Sequence, residues 1–89
     1  MSSQAWQIFG TVQGVGFRWG AQRLAHNLGL SGWVHNEADG TVKLEVQGKP
    51  SDIAVFYEQI KAGPTAMAKV DKIEVRDIPP FEADDFEIK

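Results

Sequence analysis

Apolar and polar residues alternate from the start of the chain. Over residues 5–12, Trp6, Ile8 and Val12 share one face and Gln7 and Thr11 the other, the period of a half-buried strand. Gln13-Gly14-Val15-Gly16-Phe17 interrupts that alternation with two glycines, and the period then changes. Phe17, Ala21, Leu24, Ala25 and Leu28 form one stripe of a helix opposite Gln22, Arg23, His26 and Asn27, and Gly29 stands where a helix stops. Residues 31–37 predict a second strand. Ala38-Asp39-Gly40 predicts a tight turn, and residues 41–47 a third strand with Val42, Leu44 and Val46 inward. Gly48-Lys49-Pro50 ends this hairpin and leaves Ser51 or Asp52 as the cap of a second helix, with Ile53, Phe56, Tyr57 and Ile60 as its core stripe. Gly63-Pro64 stops that helix, and a loop runs to Lys69. Residues 70–78 predict a fourth strand with Ile73 and Val75 in phase. Pro79-Pro80 closes it, and Phe86-Glu87-Ile88 is a candidate short edge strand.

The order β-α-β-β-α-β has one compact solution: an α+β, ferredoxin-like sandwich in which a four-stranded antiparallel sheet carries both helices on one face. That architecture hosts enzymes, RNA binders and metal carriers alike, so chemistry has to be read from particular residues.

With 89 residues the chain reads as a single domain over residues 1–89, with an expected folded surface of about 5,200 Å². The absence of cysteine excludes disulfides and thiol chemistry, and two histidines alone make a structural zinc site a poor expectation. Nine basic against twelve acidic residues leave a net charge of −3, with no basic run, so neither nucleic acid nor an anionic membrane is the expected partner. No apolar stretch approaches the ~20 residues of a membrane span, and Met1-Ser2-Ser3-Gln4 has no signal-peptide character. A cytoplasmic monomer is the expectation.

Candidate chemistry concentrates in Gly10-Thr11-Val12-Gln13-Gly14-Val15-Gly16-Phe17-Arg18, which joins a strand to a helix. Glycines let backbone N–H groups converge, the helix start adds its own free donors, and Arg18 adds a charged planar fork suited to phosphate oxygens. The same pattern also fits an ordinary turn followed by a solvated arginine. Two other phosphate motifs are absent: there is no G-x-x-x-x-G-K-[ST], and G-x-G-x-x-G from Gly14 would need glycine at Trp19. Asn36 ends the second strand with the parity of Val34, so its amide can face the helices and orient a water, although asparagine also simply starts turns.

Taken together, Gly10-x-Val12-Gln13-Gly14-Val15-x-Phe17-Arg18 and Leu28-Gly29-Leu30-x-Gly32-Trp33-Val34-x-Asn36-x-x-Asp39-Gly40-x-Val42 resemble the acylphosphatase family, over a span from about Trp6 to Ile88. The resemblance implies hydrolysis of acyl phosphates, with inorganic phosphate as product and competitor and with no metal or cofactor. It matches Arg18 to a phosphate-binding arginine and Asn36 to a water-positioning asparagine. The segment Gln13, Gly14, Val15, Gly16 and Phe17 matches the phosphate cradle. Two features depart from the family pattern: Gly20, early in the first helix, and a loop over residues 63–70 about one residue longer than usual.

The chemistry is coherent by itself. One arginine, one amide and backbone donors supply no general acid, so the leaving group has to depart unprotonated. A carboxylate, with a conjugate-acid pKa of about 4, does so, whereas an alkoxide does not. Two other functions fit the fold. An RNA-recognition module needs stacking aromatics on its third strand, which residues 41–47 lack. A non-catalytic phosphate-sensing module would keep the anion loop without turnover. Of the remaining residues, Trp19 is a candidate for the mouth of the site, and His26 and His35 read as surface positions.

Overall fold

The alternation near the N-terminus builds β1 (Ser2–Thr11), and the glycine-rich segment follows it directly into α1 (Phe17–Asn27). The hairpin strands are β2 (Ser31–Asn36) and β3 (Val42–Gly48), followed by α2 (Pro50–Lys61), β4 (Lys69–Asp77) and β5 (Phe86–Ile88). The computed structural model describes all 89 residues. Its solvent-accessible surface of 5064 Å² is close to that expected for the chain length. No helix is long and apolar enough to cross a membrane.

The inward faces of β1, β2 and β3 meet both helices in one core. Trp6, Ile8, Val34, Val42, Leu44 and Val46 are all at most 2% exposed. Phe56 of α2 stacks on Trp6 at 5.3 Å between ring centroids and meets Phe86 of β5 edge-on at 5.8 Å, so one ring joins a helix to a central strand and an edge strand. Each fully buried side chain of this kind contributes roughly 1.5–3 kcal/mol through removal from water.

The sheet differs from the four-stranded antiparallel one that the pattern predicts. Its order is β4-β1-β3-β2-β5, and β5 pairs parallel to β2, making the sheet mixed and five-stranded. The chain beyond Pro79-Pro80 crosses to the far edge, where the Gly32 N–H donates to the Asp85 carbonyl at 2.9 Å and the Lys89 N–H to the Val34 carbonyl at 2.8 Å. Burial of Phe86 at 0% exposure holds this short strand in place. Periodicity along three residues carries no information on strand direction, which here follows from where the returning chain emerges.

The start of α2 also differs. Neither Ser51 nor Asp52 caps it: Lys49 occupies the N-cap position without a side-chain hydrogen bond, and Pro50 enters the first turn. Proline's fixed φ and missing N–H suit that position. Asp52 instead lies in the first turn, where a carboxylate complements the positive end of the helix. Val75, although in phase with Ile73, is 44% exposed because β4 is an edge strand paired only with β1.

Candidate active site

The segment between β1 and α1 turns on its two glycines. Gly14 has φ 76° and Gly16 φ 73°, while no non-glycine residue has positive φ, so the sign alternates through Gly14, Val15 and Gly16. Alternating handedness makes successive N–H groups converge on one concavity, the geometry of an anion nest. The amides of Gly14, Val15 and Gly16 donate to no acceptor in the protein. The first helical hydrogen bond runs from the Gly20 N–H to the Gly16 carbonyl at 3.0 Å, which leaves the amides of Phe17, Arg18 and Trp19 free as well. Phe17 is buried at 2% exposure and pins the helix start to the core, so only its main chain faces the loop.

A cleft of about 180 Å³ opens at this point, lined by Gly14, Gly16, Arg18, Trp19, Asn36 and Ile88, with Val12 and Phe17 beneath. Arg18 is half-buried, and its guanidinium makes no ion pair, no hydrogen bond and no aromatic contact within the protein. Asn36 reaches the same cleft from the end of β2, on the helix-facing side that its parity predicts. Its Oδ1 is buried and has no hydrogen-bond partner. A partnerless buried polar atom costs about 1–3 kcal/mol, so its persistence beside a cleft points to a group that a bound species completes.

The structure therefore brings Gly14, Gly16, Phe17, Arg18 and Asn36 to one place. Gln13 and Val15 behave differently. The Gln13 amide donates to the Glu37 carbonyl at 2.7 Å and to the Thr41 carbonyl at 2.9 Å, so both of its protons are committed to the β2–β3 turn and only its main chain is left for an anion. The Val15 side chain packs on the edge of the core. Gln13 thus ties the nest to the hairpin that carries Asn36, a strut spanning 24 and 28 residues of sequence that no local pattern announces.

A sequence profile of the Acylphosphatase family matches residues 4–88. The chain belongs to the acylphosphatase family. An acylphosphatase of Leuconostoc mesenteroides is 48% identical over 82 residues, covering 92% of this chain and 91% of that protein. Among solved structures, acylphosphatase from Bacillus subtilis superimposes with a TM-score of 0.95 at 34% identity, covering 100% of this chain and 99% of the other. An acylphosphatase from Coxiella burnetii gives 0.93 at 30% identity, covering 99% and 92%.

Around this cleft, the charges are arranged to leave Arg18 alone. Glu37, next to Asn36, pairs with His35 and with Lys43 at 3.4 Å. His26 pairs with Asp85 at 2.8 Å, so both histidines are held in surface contacts. Trp19 stands at the mouth, 58% exposed, with the Arg23 guanidinium 4.8 Å from its ring centroid. No three His, Cys, Asp or Glu side chains converge in a way that could hold a metal ion. A larger groove of about 290 Å³ lies beside Trp33, Lys43, Glu45, Glu74 and Arg76, where opposite charges neighbour one another.

The turn that carries Asn36 is set by Asp39. The Asp39 carboxylate accepts from the Thr41 hydroxyl at 2.6 Å and from the Thr41 N–H at 3.0 Å. These bonds, the hydroxyl's first, hold its pKa below the ordinary 3.8. Folding lowers the proton affinity of this group. Its contribution is therefore complete above the unfolded-state value and disappears as pH falls through the lower, folded one. Asp39→Asn is expected to destabilise the chain at neutral pH, and the gap should narrow as pH drops below about 4. Urea unfolding near pH 7 and again near pH 3 checks this. An equal gap at both would show that the charge on Asp39 is irrelevant.

Proposed function

We propose that residues 1–89 act as a single domain that hydrolyses the carboxyl–phosphate bond of acyl phosphates, and that Arg18 and Asn36 carry the reaction. In this reading the phosphate oxygens sit in the nest formed by the main chain of Gln13, Gly14, Val15, Gly16 and Phe17, with the Arg18 guanidinium across two of them. The water is held by Asn36. Its oxygen attacks phosphorus as the bond from phosphorus to the carboxylate oxygen breaks. The electron pair leaves with the carboxylate, and the proton of the water passes to phosphate or solvent.

Charge in such a loose transition state spreads over the equatorial oxygens, where fixed amides and a guanidinium stabilise it without rearranging. Such a site needs neither metal nor cofactor: the leaving carboxylate, with a conjugate-acid pKa of about 4, requires no general acid. The observation that carries the reading is the meeting, in one cleft, of an arginine without a partner, a nest of free amides and the orphaned Oδ1 of Asn36. That last atom favours catalysis over passive phosphate sensing, because phosphate alone does not require it.

We further read the domain as a cytoplasmic monomer without a nucleic-acid partner. This is supported by the net charge of −3 and by the mixed charges on the outward faces of β3 and β4.

Purified protein is expected to turn over benzoyl phosphate steadily in the presence of a chelator, with inorganic phosphate as a competitive inhibitor and alkyl phosphomonoesters as poor substrates. Phosphate binding without turnover would favour the sensing alternative, and turnover abolished by chelator would count against the metal-independent chemistry.

A further inference from the structure

We propose that Thr65, in the loop between α2 and β4, is a positioning residue for the anion nest, acting through the peptide unit that joins Val15 to Gly16. The inference rests on the phosphate reading of the cleft.

The Thr65 hydroxyl donates to the Val15 carbonyl at 2.7 Å, across 50 residues of sequence. A peptide unit is planar and trans, so its carbonyl and its N–H point in opposite directions. Holding the Val15 carbonyl against the α2–β4 loop therefore turns the Gly16 N–H away from that loop. Gly16 lines the cleft, and its N–H has no acceptor in the protein.

Local geometry does not keep the peptide in this orientation. Glycine populates positive and negative φ about equally, so Gly16 at φ 73° could reverse and point a carbonyl oxygen, rather than an amide, at an arriving anion. A remote hydrogen bond to the Val15 carbonyl opposes that reversal.

The α2–β4 loop is itself seated on α1. A Cβ on Gly20 would lie 2.7 Å from the Pro64 carbonyl oxygen and 2.9 Å from Thr65 Cγ2, so only glycine at this position lets the helix approach so closely. Pro64 is buried, and the Ala68 N–H donates to the Thr65 carbonyl at 3.2 Å, which folds the loop onto itself behind Thr65. Gly20 and the loop over residues 63–70 thus meet at one contact, and that contact carries the hydroxyl that holds the Val15 carbonyl.

Thr65→Val keeps the shape and the methyl beside Gly16 but removes the donor, whereas Thr65→Ser keeps the donor. Thr65→Val is expected to raise the inhibition constant of inorganic phosphate and the KM for benzoyl phosphate by about tenfold, equivalent to about 1.4 kcal/mol. The change in kcat should be smaller, because the aimed amide contacts phosphate in the ground state and the transition state alike. Thr65→Ser should restore both constants. Unchanged constants in Thr65→Val with only a lower melting temperature, or an equal weakening in Thr65→Ser, would overturn the inference. A second measurement needs no variant: during phosphate titration of the unmutated protein, the Gly16 amide proton resonance should move downfield as it gains a charged acceptor. A Gly16 resonance that stays fixed while those of Gly14 and Arg18 shift would overturn the inference and leave the phosphate site standing. No response from any of these amides, together with no inhibition by phosphate, would overturn both.

Discussion

Arg18→Ala is expected to lower kcat/KM for an acyl phosphate by about 10³-fold or more and to weaken inhibition by inorganic phosphate in the same variant. The size follows from what the side chain offers. Loss of one preorganised donor in an oxyanion site costs ~2.7–4 kcal/mol, and Arg18 would supply a charge and two parallel donors together. No other cation lines the cleft, so nothing nearby replaces it. Arg18 makes no ion pair with the rest of the protein, so its removal should leave the fold intact, and the lost activity can be separated from unfolding by a thermal melt. Arg18→Lys should recover only part of the loss, since an ammonium keeps the charge but cannot bridge two oxygens in a plane. Near-normal turnover of benzoyl phosphate by Arg18→Ala would remove the basis for the phosphate site.

Asn36→Ala should show the second-largest loss, and of a different kind: kcat falls by about 10²–10³-fold while the inhibition constant of phosphate stays near its original value. In the proposed mechanism the amide acts on the attacking water and not on the bound anion, so it would contribute to the transition state and little to ground-state binding. Stability should move the other way. The Asn36 Oδ1 is buried without a partner, and deleting an unsatisfied polar atom removes a penalty of about 1–3 kcal/mol that the folded chain now carries. Asn36→Ala is therefore expected to melt at the same temperature as the unmutated protein or higher, while turning over far more slowly. A gain in stability with a loss in rate marks a residue kept for chemistry. Weakened phosphate binding with unchanged kcat would place Asn36 on the anion and not on the water.

These expectations draw on signals of different origin. The change from period two to period 3.6 at Phe17 is local, and the α1 stripe is met in the structure by buried Phe17, Ala21 and Ala25. The parity that put Asn36 on the helix-facing side is also local, because strand side chains alternate without exception unless a bulge intervenes. The sole register shift of β1 lies between Phe9 and Gly10, on its pairing with β4 and away from β2. The role of Gln13 was not legible. A glutamine in a glycine-rich loop gives no hint that its amide spans to Glu37 and Thr41, since that bond depends on how β1 and the hairpin are set side by side. The N-cap of α2 misled for a related reason: Ser51 and Asp52 have the right chemistry, but Pro50 has already fixed the backbone one turn position earlier.

Hydrophobic period and turn residues were enough to determine the sandwich, its core face and the helix-facing parity of Asn36, because each depends on neighbours a few residues apart. Arg18 and Asn36 were singled out together only through the resemblance of two short motifs to a known family. Tertiary structure alone decided the parallel β5, the Gln13 strut and the seat of Thr65 against Gly20 and Val15. Those contacts join residues 24 to 50 or more positions apart, or depend on the edge to which the chain returns, and separations of that kind are settled only when the whole core closes.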